Sequence, residues 1–225
     1  MNSEMLSEMY DRLSSLILPA TWVTIELVMI VVVIGMVGAL AVGLTLYYYA
    51  PNGLKPHPRI YSMISLFVNL VRSIPILILI IALSPVVRTI VGTSIGPKAV
   101  IIPLILACTA NIGRYLENSF RSINPQTIEA ARSYGASDLN IIKEIVIKES
   151  IPSIISATTI AFVNNIAGST IAGAVGGGGI GSVAINYGYQ SFDDFILYSS
   201  VVILFFMVQI VQTIGNKIYD HSMKK

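Results

Sequence analysis

From Leu27 to Tyr49 the chain runs without one Asp, Glu, Lys, Arg or His, and Glu26 is the only charged residue back to Trp22. A helix needs about 20 predominantly apolar residues to cross a bilayer, and this stretch exceeds that. Similar runs recur, and we read five spans: Trp22–Tyr49, Ile60–Leu83 with a kink at Pro75, Pro97–Glu117, Ile151–Val175 and Phe195–Ile214. Only 12% of the 225 residues are charged, against about 25% in a typical soluble domain. The expected fold is therefore an all-α membrane protein. Gly35, Gly38, Ala39 and Gly43 give the first span a small-residue face, which lets membrane helices approach closely. The acidic N-terminus, MNSEMLSEMYDRL, lacks the basic region of a signal peptide, so the first span is read as retained.

Basic residues orient the chain. Lys55, Arg59, Arg121, Arg132, Lys143, Lys148, Lys217, Lys224 and Lys225 fall on one side. Arg12, Arg88 and Lys98 fall on the other. Lys and Arg accumulate on the cytoplasmic side, so the N-terminus is expected outside and the C-terminus in the cytoplasm. Residues 1–21 then form an extracytoplasmic segment, 22–217 the membrane domain and 218–225 a cytoplasmic tail.

The one long polar stretch between spans, Asn124–Pro152, falls inside under this scheme. It reads as two short helices joined by a bend. Asn124 is a good N-cap and Pro125 suits the first helical position. Gly135 can take the left-handed conformation that closes a helix. Ser137 can cap a second helix, with Leu139, Ile142 and Val146 as its apolar stripe and Glu144 one turn before Lys148. A bent polar hairpin with an apolar stripe suits a soluble partner's groove.

No catalytic set, metal-type spacing or GxxxxGK[ST] phosphate loop occurs. His57 and His221 lie in loops, and the single Cys108 lies in an apolar segment as a packing residue. A net charge of +2 gives no indication of nucleic acid. Gly176, Gly178 and Gly181 satisfy the dinucleotide pattern G-x-G-x-x-G, but a membrane span precedes them where the fingerprint needs a strand. The two readings left for that run are a tight turn with backbone against backbone, or a flexible exit turn. Glu26, Arg72, Arg114 and Glu117 are ionisable groups inside spans, and Arg114 and Glu117 are spaced to pair on one helix. Polar groups gather in the fourth span at Asn164, Asn165, Ser169 and Thr170, followed by Ile171. They either bond a neighbouring helix or line a path for a small polar solute.

Glu129-Ala130-Ala131, then three residues, then Gly135-Ala136, resembles the EAA loop of ABC importer membrane subunits. The family's Leu-Pro near the loop's end is replaced here by Ile147-Lys148. NLVRSIPILILI, VGTSIG at Val91–Gly96 and GAVGGGGIGSVAINYGY extend the resemblance over nearly the whole chain, to permeases of methionine uptake transporters. That resemblance implies a type I ABC importer transmembrane fold in the bacterial inner membrane. It implies a homodimer, two ABC ATPase subunits and an extracytoplasmic substrate-binding lipoprotein. It assigns ATPase coupling to Glu129, Ala130, Ala131, Gly135 and Ala136, in a loop over about 121–150. No cofactor is expected in this chain, and ATP and magnesium belong to the ATPase. Gly168-Ser169-Thr170-Ile171 stands where the methionine family has Tyr-Ser-Ala-Met, which keeps another small amino acid open as the solute. A self-powered carrier or channel is a third class, and it would need internal repeats and ion-coupling acids on facing helices.

Overall fold

The structure is a computed structural model and describes residues 3–224, nearly all of them helical. The longest elements are α2 (Leu18–Tyr49), α5 (Pro97–Arg121), α9 (Ile151–Gly173) and α11 (Asp194–Ser222). Each belongs to a helix long and apolar enough to cross a membrane. A broken pair, α3 (Pro58–Ser73) and α4 (Ile76–Val91), is together long and apolar enough for a fifth crossing if the two count as one span. The kink expected at Pro75 is there, as a full break into two helices, and the second of them runs on to Val91 where Leu83 was expected. Pro75 sits between them in extended backbone at ψ 138°. The residue before a proline is pushed out of the α region, and that ends α3 at Ser73.

The first crossing also begins earlier than Trp22. Helix α1 (Ser3–Arg12) continues through a π-helical turn, Leu13–Ile17, into α2, so the apolar helix runs Met9–Tyr49. A proline inside a helix clashes with the carbonyl four residues before it. For Pro19 that carbonyl belongs to Ser15, which lies within the widened turn. The helix is thereby preserved across the proline. At the other end, the expected tail at 218–225 is mostly a continuation of α11.

The chain divides into two compact units. One gathers the chain up to Ile34 with Ile74–Leu106 and Phe162–Gln212. In it Ile17, Ala20, Ile180, Val183 and Ile196 form a buried cluster. The other gathers Gly35–Ser73, Ala107–Ala161 and the chain from Thr213. Here the small-residue face of α2 meets α5 as expected. A Cβ on Gly38 would stand 2.7 Å from Thr109 Oγ1, and one on Gly43 2.9 Å from the Gly113 carbonyl. Large apolar side chains remain exposed along the spans, among them Val37, Leu66, Phe205 and Phe206. So much exposed apolar surface is a liability in water and ordinary against acyl chains.

Candidate functional site

The polar hairpin is built by local rules. In α6 (Pro125–Ser133) the Gln126 N–H donates to Asn124 Oδ1 at 3.0 Å, with Pro125 at the first position. Gly135 takes φ +79°. Its N–H donates to the Arg132 carbonyl at 2.9 Å, and the Ala136 N–H donates to the Ala131 carbonyl at 3.0 Å. These two bonds form a Schellman closure, which consumes carbonyls the helix end would otherwise leave unpaired. The Ser137 hydroxyl then accepts from Asn140 N–H at 3.3 Å and caps α7 (Asp138–Ile141). A π-helical turn, Ile142–Val146, and α8 (Ile147–Glu149) continue that helix through Ile147-Lys148, and Lys148 pairs with Glu144. Without a proline at those positions the helix runs on to Ser150.

Glu129, Ala130 and Gly135 are exposed, and Ala131 and Ala136 are half-buried. No residue of α6 is buried, and Tyr134 is 92% exposed. An isolated nine-residue helix is marginal in water, so caps and tertiary ties must hold it. Leu139 is corrected: it is 60% exposed, whereas Ile141 and Val146 are fully buried. A π-helical turn changes the residue angle and shifts the stripe. Leu139 and Tyr134 are left as apolar groups on the outer surface of the hairpin.

The main tie was not legible in the sequence. Arg132 Nη2 donates to the Leu54 carbonyl, 78 residues away, and lies 3.3 Å from Asp138 Oδ1. Asp138 Oδ2 accepts from Tyr48 Oη at 3.0 Å. One guanidinium therefore joins α6, α7, the loop after α2 and the end of α2. Beside it is a cleft of about 240 Å3 lined by Tyr47, Leu54, Phe120, Arg121, Glu129 and others. Arg132→Lys is expected to loosen the hairpin, since both contacts come from Nη2 at the tip of the guanidinium and the shorter lysine side chain ends short of that point. The lost charged hydrogen bond corresponds to about 1.5–3 kcal/mol. Amide exchange over residues 135–140 should quicken by about 10–150-fold, while exchange in the core of α5 stays unchanged.

The five candidates of the fourth span, four polar residues and Ile171, do not share one face. Asn164 and Ile171 are exposed, seven residues apart on α9. Asn165 and Ser169 are buried, and both Ser169 and Thr170 hydroxyls donate to the Ile166 carbonyl, at 2.7 and 3.1 Å. Beyond α9 the glycine run is the tight, backbone-packed turn. Gly176, Gly178 and Gly179 have φ between +72° and +81°. A Cβ on Gly181 would stand 2.5 Å from Thr170 Cα. The Ile180 N–H donates to the buried Thr24 hydroxyl at 2.9 Å.

In the second unit Arg114 and Glu117 pair at 2.5 Å. Glu117 is 1% exposed and also accepts from Tyr61 Oη at 3.0 Å, with Arg121 at 3.7 Å. Arg114 Nη2 reaches Ser65 Oγ at 2.6 Å and Asn69 Oδ1 at 2.9 Å. The i,i+3 spacing announced the pair, and the ties to α3 were not visible in it.

Against known proteins, residues 47–225 match the family described as binding-protein-dependent transport system inner membrane component. The chain belongs to that family. Among other inner membrane components, the probable D-methionine transport system permease protein MetI of Vibrio cholerae is 36% identical over 216 residues, 96% of each chain. The methionine import system permease protein MetP of Bacillus subtilis is 36% identical over 77% of this chain and 78% of its own. A chain in the inward-facing structure of the MetNI methionine ABC transporter matches with a TM-score of 0.90 and 32% identity, over 99% of both chains. A chain of an amino acid ABC transporter solved with histidines shares the fold, with a TM-score of 0.76 at 17% identity. The fold is that of the type I ABC importer permeases.

Proposed function

We propose that this chain is the permease subunit of an ABC importer that moves D- and L-methionine across the bacterial inner membrane. The match to a solved methionine transporter over 99% of both chains carries this reading. Two copies form the translocation unit, and two ATPase subunits bind and hydrolyse ATP on the cytoplasmic side. An extracytoplasmic lipoprotein delivers the solute. The N-terminus faces outward and the C-terminus inward, which the nine-to-three split of basic residues supports.

The hairpin at Asn124–Ser150 is the part that meets the ATPase. Glu129 and Ala130 lie on its exposed side, and Ala131, Gly135 and Ala136 set its bend. An outer surface carrying Tyr134 and Leu139 suits an apolar groove, and the Arg132 tie gives the hairpin the stiffness to transmit motion. ATP closes the nucleotide-binding pair, the hairpins move with it, and the cavity opens outward. Hydrolysis returns it to the cytoplasm. On α9, Asn164 and Ile171 face the solute path, while Asn165, Ser169 and Thr170 keep the helix in place.

The test is uptake of labelled L-methionine into vesicles holding the complete assembly and its binding protein. ATP-dependent accumulation is expected. Preferential uptake of another small amino acid would move the solute assignment while leaving the importer mechanics in place. Accumulation by this chain alone, without ATPase, would overturn the coupling.

A further inference from the structure

Helix α3 carries two opposed stripes. Met63, Leu66, Phe67 and Leu70 are exposed apolar groups suited to acyl chains. Ser62, Ser65, Asn69 and Arg72 recur at helical spacing on another side. Part of that polar stripe is satisfied by α5, since Arg114 binds Ser65 and Asn69 and is itself neutralised by Glu117. Arg72 differs. It is exposed, and its Nε donates to the Oδ1 of Asn111, also exposed, at 3.3 Å. Asn111 is fixed in turn, because its Nδ2 donates to the Ala107 carbonyl at 3.0 Å. Among the described residues no carboxylate pairs with Arg72, and both of its Nη groups are left available.

Depth makes this arrangement informative. Arg72 lies about 21 Å along α3 from Pro58, and Asn111 about 15 Å along α5 from Arg121, at 1.5 Å per residue. The hydrocarbon core is about 30 Å thick. A cation at that depth is costly against lipid and belongs on a water-filled cavity or inside protein. A guanidinium with free Nη groups binds a carboxylate through two parallel hydrogen bonds. Solvent in a cavity keeps such a contact weak enough to release, as a path requires.

We propose that Arg72, held by Asn111, lines the translocation path and receives the carboxylate of the amino acid in transit. This rests on the importer reading and adds a binding residue to it.

Two measurements on the full assembly test it. Cys108 is the only cysteine, so a Cys108→Ala background permits single-cysteine probes with a charged, water-soluble thiol reagent. Cysteine at position 72 or 111 should label readily, and at position 66 poorly. Equal, slow labelling at 72 and 66 would overturn the inference and place Arg72 under lipid or a second copy. In transport, Arg72→Gln should lower ATP-driven methionine uptake about tenfold. ATPase activity stimulated by the loaded binding protein should persist, and Arg72→Lys should recover part of the uptake. Unaltered solute per ATP in Arg72→Gln would sink the inference while leaving the importer reading intact. Absence of ATP-driven uptake in the unsubstituted assembly would sink that reading instead. The labelling contrast still decides whether position 72 faces water.

Discussion

Gly135→Pro is expected to abolish ATP-driven uptake while the chain still inserts and dimerises. Gly135 sits at φ +79°, and proline is locked near −65°. The substitution also deletes the N–H that donates to the Arg132 carbonyl. Together these cost about 3 kcal/mol or more, acting on a helix that has no buried residue to hold it. No atom lies within 4 Å of a Cβ at this position, so the effect is one of backbone conformation and not of space. A graded series isolates it. Asparagine tolerates the left-handed region and should retain most activity. Alanine pays about 1–2 kcal/mol there and should fall between. Valine, β-branched, should approach proline. Co-purification of the ATPase and uptake should decline in that same order, with membrane-inserted protein unchanged. Wild-type transport by the proline variant would remove the hairpin from the coupling route.

Glu117→Leu should cost more in stability than any surface change in the chain. Glu117 is all but inaccessible and neutralises Arg114, whose own exposure is 13%. Removing one partner of a buried pair leaves an uncompensated charge, typically at about 3–5 kcal/mol. Arg121 is a third exposed and can find water, so Arg114 carries most of the penalty. Glu117→Gln keeps an acceptor for Tyr61 Oη and loses only the charge, so a smaller loss is expected. The pair Arg114→Met with Glu117→Leu removes both charges and should recover much of the single-variant loss. Thermal denaturation in detergent, read as the surviving monodisperse fraction, ranks these variants. An unchanged Glu117→Leu protein would show that Arg114 is solvated after all.

Both sites were partly legible beforehand, for physical reasons that differ. Asn124, Gly135 and Ser137 act within a few residues of the groups they satisfy, so the caps and the bend could be read from the sequence. Arg114 and Glu117 are one helical turn apart, and their pairing followed from spacing. Arg132 bonds a carbonyl 78 residues distant, and no local rule identifies such a partner. Arg72 was recognised as an ionisable residue inside a span. Its open side and its tie to Asn111 exist only once α3 and α5 are packed. Leu139 was placed on the wrong side because a π-helical turn altered the residue angle within its own helix.

By itself the sequence determined that the chain is a bundle of membrane-crossing helices interrupted by one capped polar hairpin. Hydrophobic run length and capping are properties of consecutive residues, and the lipid requirement leaves no other all-helical solution. Tertiary structure alone decided which polar side chains of α9 are buried and which cations have a carboxylate nearby. Those outcomes depend on what a neighbouring segment places opposite each side chain, and helical periodicity assigns a face without saying what it meets.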